Sequence, residues 1–94
     1  MRVVWTPEAD RDRGDIWIHI SADSPAAAVR VDAAFSDAAR SLRELPSRGR
    51  QGRVPGTREL IPLEIYRLVY EVRDDTVWIL ALVHTARLWP PEAG

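Results

Sequence analysis

Apolar and polar positions along this chain follow two different periods, and the change between them separates a helical first half from an extended second half. Val3, Val4 and Trp5 predict a short first strand over residues 2–6. Thr6-Pro7-Glu8 then predicts a helix start. Thr6 can cap the first turn, Pro7 has a φ already suited to the first helical position, and Glu8 sits at the positive end of the dipole. This helix should run to about Ala22, with Ala9, Ile16, Trp17 and Ile20 as its apolar stripe and Asp10, Arg11 and Asp15 in water. Gly14 weakens it by roughly 1 kcal/mol relative to alanine. Ser24-Pro25 repeats the start signal. Ala28, Val31, Phe35, Ala38, Leu42 and Leu45 then recur at spacings of three and four, which predicts a second helix over Pro25–Leu45, stopped by Pro46. The turn around Asp23 makes the two an αα-hairpin, and Trp17 and Phe35 are expected to be buried in it or against a sheet.

Residues 46–56 hold three glycines and two prolines and read as a loop, with a brief extended piece expected at Arg53-Val54. Extended structure resumes over Thr57–Ile61, where Pro62 argues against a central position because it cannot donate to a ladder. Tyr66–Val72 and Val77–His84 are strong strands joined by a short turn, an antiparallel hairpin whose apolar character suits the middle of a sheet. Period-two alternation puts Tyr66, Leu68 and Tyr70 on one face of their strand and Arg67, Val69 and Glu71 on the other. The order is β-α-α-β-β-β, an α+β fold with helices on one face of the sheet and the first strand returning to pair with it. Ninety-four residues make a single domain, 1–94.

The formal net charge of -1 conceals an uneven distribution. Six arginines and one acidic residue lie between Arg40 and Arg58, so that stretch carries about +5, and the chain on either side of it is acidic. Arg48, Arg50, Arg53 and Arg58 fall in or beside the Gly/Pro-punctuated loop, where side chains project into solvent. Either this is a patch for an anionic partner, nucleic acid or an acidic protein segment, or it is an ordinary solvated loop in a chain that uses no lysine.

The absence of cysteine excludes disulfides and thiolate metal sites and fits a reducing cytoplasm. No apolar run reaches the 18 or more residues of a transmembrane helix, and Met1–Pro7 has no signal-peptide core. Phosphate-loop, dinucleotide and HExxH patterns are missing, so no cofactor is expected, and His19 and His84 are too few for a histidine metal cluster.

Several ordered pieces resemble one family. Gly49–Leu60 looks like the loop and strand before the core hairpin of the RelE/ParE toxins. Tyr66–Val72 followed by Val77–His84 resembles their last two strands, and His84-Thr85-Ala86-Arg87-Leu88-Trp89 their histidine–arginine–tryptophan tail. Trp5-Thr6-Pro7-Glu8-Ala9 and Ser24-Pro25-Ala26-Ala27-Ala28 fit as well. The resemblance implies the toxin of a bacterial type II toxin–antitoxin pair, neutralised by a cognate antitoxin and reaching operator DNA only through it. Within the family the loop and tail look more like the ParE side, which implies poisoning of DNA gyrase. The alternative is ribosome-dependent cleavage of mRNA.

Site residues follow from these two targets. RNA cleavage without a metal needs an acid–base pair and cations at phosphorus. Arg67 occupies the strand position of a phosphate-contacting arginine in the family's nucleases, with Arg58 and His84 completing a nuclease set. Arg67 can equally pair with Glu59, Glu64 or Glu71, and His84 can equally be a packed ring bonded to backbone. Lysines are missing from the middle loop, and arginine is too weak an acid to serve readily as a base. A target- or antitoxin-binding set would comprise Arg48, Arg50, Arg53, Arg58, Arg87 and Trp89, because arginine and tryptophan dominate binding hot spots. Trp89 also reads as a C-terminal clasp over the core. An acidic–apolar antitoxin segment is expected to dock near residues 48–58.

Overall fold

Both helix starts form as their residues predict. Thr6 Oγ1 accepts the Ala9 N–H at 3.2 Å and Ser24 Oγ accepts the Ala27 N–H at 3.1 Å, each with proline in the first turn. The computed structural model describes residues 1–91. It runs β1 (Arg2–Trp5), α1 (Pro7–Ser21), α2 (Pro25–Ser41), β2 (Arg50–Gln51), β3 (Thr57–Leu63), β4 (Tyr66–Arg73) and β5 (Thr76–His84). One sheet holds all five strands in the order β1-β5-β4-β3-β2. β1 lies parallel to β5 and the other pairs are antiparallel. The expected β-α-α-β-β-β order is therefore present, with the two-residue β2 added before the long strands. The extended piece expected at Arg53-Val54 forms instead at Arg50–Gln51, because the register of β3 presents Glu59 and Arg58 to those residues.

The helices cover one face of the sheet, α1 over β5 and α2 over β3. Phe35, Leu42, Leu68, Tyr70, Val77 and Ile79 are fully buried between the layers. Phe35 meets the Tyr66 ring edge-on at 5.5 Å between centroids. Arg13 fastens the hairpin to the sheet. It donates to both Asp32 oxygens (2.6 and 2.9 Å) and to Ser36 Oγ (2.6 Å), while its guanidinium lies 4.6 Å from the Trp5 ring centroid.

Two expectations are corrected. α2 ends at Ser41 rather than at Leu45. Ser41 Oγ bonds back to the Ala38 carbonyl, and the next two amides bond three residues back, which tightens the chain into turns. Leu42 stays in the core and Leu45 is left exposed. Trp17 is 40% exposed. It lies on the rim of the α1–α2 seam beside Ala28 and Val31, one helical step away from the residues that face the sheet.

Pro62 falls where the β3–β4 register shifts between Leu60 and Leu63, so its missing N–H breaks no regular ladder. A second shift opposes Val69-Tyr70 to Ile79 and Ala81, leaving Leu80 as an extra residue in β5. The free Leu82 N–H beyond that bulge bonds to Asp12 Oδ2 of α1 at 3.1 Å.

Replacing Phe35 by alanine should lower stability by about 3–5 kcal/mol. Trp17→Ala should cost clearly less, because Trp17 already contacts solvent. Urea denaturation midpoints compare the two, and equal losses would contradict this packing.

Candidate functional site

The uncovered face of the sheet carries a row of small and charged residues set by register. Arg50 pairs with Glu59, Glu59 with Val69, and Val69 with Ala81. Arg67 stands one alternation along β4 from Val69, on the same face. The Glu59 side chain is only 5% exposed. It takes Arg50 Nη2 at 3.2 Å and has Arg67 Nη1 at 3.7 Å. Val69 and Ala81, its small neighbours along this row, are themselves buried.

Arg67 is itself 14% exposed. Its other terminal nitrogen donates to the Arg87 carbonyl and so ties the C-terminal tail to the sheet. Among the described residues its Nε is the one buried side-chain nitrogen or oxygen without a hydrogen-bond partner. Of the three carboxylates that the sequence offers Arg67, the structure selects Glu59.

The arginines of the middle segment do not form one cluster. Arg58 lies on the helix-covered side, level with Tyr70, and donates to the Ser47 carbonyl at 3.2 Å and the Gly49 carbonyl at 2.8 Å. Tyr70 closes the same loop, its hydroxyl donating to the Pro46 carbonyl (2.7 Å) and accepting from Gly49 N (2.9 Å). A Cβ at Gly49 would stand 2.7 Å from that hydroxyl and 2.8 Å from the Glu59 carbonyl oxygen, so the close approach requires glycine. Arg48 donates to Ser41 Oγ at 2.7 Å, back toward α2. Arg53 is exposed in the bend between β2 and β3. Thus Arg50 and Arg67 meet at Glu59, while Arg48 and Arg58 shape the loop.

At the tail, His84 Nδ1 accepts the Ala86 N–H at 3.0 Å and the ring packs edge-on against Tyr66 at 5.9 Å. The Arg87 N–H returns to the His84 carbonyl at 2.9 Å. The Arg87 side chain and half-buried Trp89 border a cleft of about 890 Å³ between α1, the last half of β5 and the tail. The Arg87 guanidinium has no partner among the described residues.

Asp12 in that cleft is the feature the sequence left unmarked. Burial pushes its carboxyl above the ordinary carboxylate range, opposed by the Leu82 N–H, while Asp15 and Glu8 add to the rise and Arg11 counters it. Only the β5 bulge supplies that N–H, and a bulge has no mark in local composition. No group of three or more potential metal-ligating side chains is present among the described residues, and no helix there is long and apolar enough to cross a membrane.

Two stability predictions follow from this geometry. Tyr70→Phe strands the Gly49 N–H and should cost about 1–3 kcal/mol. Hydrogen exchange at Gly49 should accelerate, and unchanged exchange would contradict the clamp. Because the folded pKa of Asp12 is raised, its contribution to stability falls as pH rises from the ordinary carboxylate range through the folded value. Asp12→Asn, whose amide oxygen can still accept from Leu82, should therefore flatten that part of the urea-midpoint profile against pH. A wild-type midpoint that gains on the variant as pH rises would reverse the sign.

Comparison with known proteins places these features. The family model described as the ParE toxin of the type II toxin–antitoxin system parDE matches residues 3–89. Toxin RelE2 of Caulobacter vibrioides is 40% identical over 87 residues, covering 93% of this chain and 98% of that protein. Y4kP of Sinorhizobium fredii is also 40% identical, over 90 residues, covering 95% of this chain and 93% of the relative. A solved chain from the chromosomal ParDE system of P. aeruginosa superposes with a TM-score of 0.79 at 25% identity, covering 89% of this chain and 95% of its own.

Proposed function

The chain belongs to the ParE toxin family of type II toxin–antitoxin systems, and on that premise we propose that it inhibits growth by poisoning DNA gyrase rather than by cutting mRNA. Membership implies a cognate antitoxin as its partner. The target is argued from one observation: the buried Glu59 carboxylate occupies the open sheet face between Arg50 and Arg67. A scissile phosphate brought to Arg67 would meet a negative charge held in a poorly solvated site, where like charges repel strongly. The arginine is neutralised where a nuclease needs it to stabilise charge at phosphorus.

The tail supports the same reading. The His84 ring nitrogen Nδ1 is engaged by its own turn, and the ring rests on Tyr66. Its role there is to shape the tail. Arg87 and Trp89 stand beyond the sheet, where a guanidinium and an indole can reach a protein surface.

Ribosome-dependent cleavage is the second reading, and the unpartnered Nε of Arg67 favours it. On that reading a phosphate oxygen would satisfy the donor, and Glu59 would have to yield its hold on Arg67.

Toxicity of folded single variants, paired with supercoiling and ribosome-programmed cleavage assays, separates the two. For a gyrase poison, Arg87→Ala should reduce growth inhibition and His84→Gln should change it little. A nuclease inverts that ranking, since loss of an acid–base histidine costs roughly 10²–10⁴ in rate. Cleavage by the parent chain that disappears in His84→Gln would overturn the gyrase reading.

A further inference from the structure

Glu59 turns Arg67 away from phosphate chemistry, and the other donors of that arginine show what it holds instead. Register places Glu59 opposite Val69, and Arg67 stands two residues before Val69 on the same uncovered face. Arg50 Nη2 and Arg67 Nη1 both reach one carboxylate oxygen, Oε1. The Arg50 side chain is 61% exposed, whereas that of Arg67 is largely buried. Water therefore screens the first contact and hardly reaches the second. Arg67 faces Val83, one pair short of the end of β5 at His84. Its Nη2 meets the chain just after it has left the sheet, at the Arg87 carbonyl.

The tail has few other holds. The Thr85 N–H donates to the Ile65 carbonyl at 2.9 Å. After it, the Ala86 and Arg87 N–H groups both return to His84, one to the ring and one to the carbonyl. Among the described residues, Arg67 makes the one hydrogen bond that ties residues 86–91 to a strand other than the one they leave. A buried donor without an acceptor costs free energy, and Arg67 Nε is such a donor. The guanidinium is therefore oriented by its two terminal nitrogens, one on Glu59 and one on the tail. A planar guanidinium cannot move one without moving the other.

We propose that Glu59 is a positioning residue: acting through Arg67, it fixes the C-terminal tail so that Arg87 and Trp89 are presented to the target in one orientation. This rests on the reading that Arg87 and Trp89 contact the target. With the carboxylate in place the tail is ordered before binding, so less conformational freedom is lost when the target arrives. A neutral side chain at 59 leaves Arg67 without its anion. The guanidinium then turns to solvent and releases the tail, while the core on the other face of the sheet stays packed.

The test compares purified Glu59→Gln, which keeps the size of the side chain, with the parent by NMR, urea denaturation and growth inhibition on induction. The Arg87 carbonyl carbon resonance should move upfield as its charged donor leaves. Exchange of the Arg87 N–H should rise roughly tenfold. Growth inhibition should fall to the level of Arg87→Ala, and the double variant should fall no further. Arg50→Ala, which disturbs the same carboxylate without touching Arg67, should leave the Arg87 carbonyl signal where it is. A merely structural cluster would shift the urea midpoint in both variants and leave the Arg87 signals unchanged, and that result overturns the proposal. Full growth inhibition by a folded Glu59→Gln overturns it too. Should Glu59→Gln not fold, Arg67→Lys takes its place. Its ammonium stays beside Glu59 but cannot also hold the carbonyl, so the same changes are expected and their absence is equally decisive. Parent toxicity with unimpaired supercoiling overturns the gyrase reading alone, because the growth ranking and the carbonyl signal are the same for any target. Undiminished growth inhibition in Arg87→Ala removes the target contact and this role with it.

Discussion

Everything else in this structure depends on the parallel pairing of Arg2–Trp5 with Thr76–Ile79. It joins the two ends of the chain across more than seventy residues, a contact whose loop entropy must be offset by the packing it enables. Once β1 is seated beside β5, Thr6 can both end the strand at the Ile79 carbonyl and cap α1. α1 is then committed to lie over β5, and Trp5 is brought to the Arg13 guanidinium that also holds Asp32 and Ser36 of α2. The αα-hairpin is thus positioned by a strand pair that neither helix contains.

The same closure decides where chemistry can occur. Helices fill one face of the sheet, so the charged residues of β2, β3 and β4 share the other. There Glu59 gathers Arg50 and Arg67 over the small side chains of Val69 and Ala81. Removing a carboxylate from water requires paired charge around it, and two guanidinium groups supply it. Arg67 carries the connection onward to the Arg87 carbonyl, so the sheet face and the C-terminal tail form one network. At the opposite edge β1 is shorter than β5, and the uncovered remainder is guarded by Asp12. One molecule therefore presents a basic loop at one end of its sheet and the Glu8, Asp12 and Asp15 carboxylates of α1 at the other, which its net charge of -1 conceals.

Much of this was legible from the residues. The caps at Thr6 and Ser24, the buried Phe35, the hairpin of β4 and β5, and the division of β4 into a Tyr66/Leu68/Tyr70 face and an Arg67 face all rest on local rules, because caps and alternation are fixed within a few residues. Where the structure departs from the local pattern, a distant partner intervenes. Leu45 keeps the helical spacing, yet the chain has already left the helix to bring the Pro46 carbonyl to the Tyr70 hydroxyl. Trp17 keeps it too, yet lies on the rim of the α1–α2 seam and stays 40% exposed. Arg58 stands in a cationic segment, and only the structure shows its guanidinium donating to the carbonyls of Ser47 and Gly49.

The sequence by itself determined the two helices and where they begin, the long strands β3, β4 and β5, that the middle of the chain is cationic, and the family to which those ordered pieces belong. These are properties of spacing and composition, and spacing is read locally. Tertiary structure alone decided that β1 joins β5 in parallel, that Glu59 is the carboxylate Arg67 meets, and that a bulge at Leu80 turns the Leu82 N–H toward Asp12. Each is a matter of register between segments far apart in the chain. A one-residue change in register reverses which side chains share a face, and nothing in the local pattern records it.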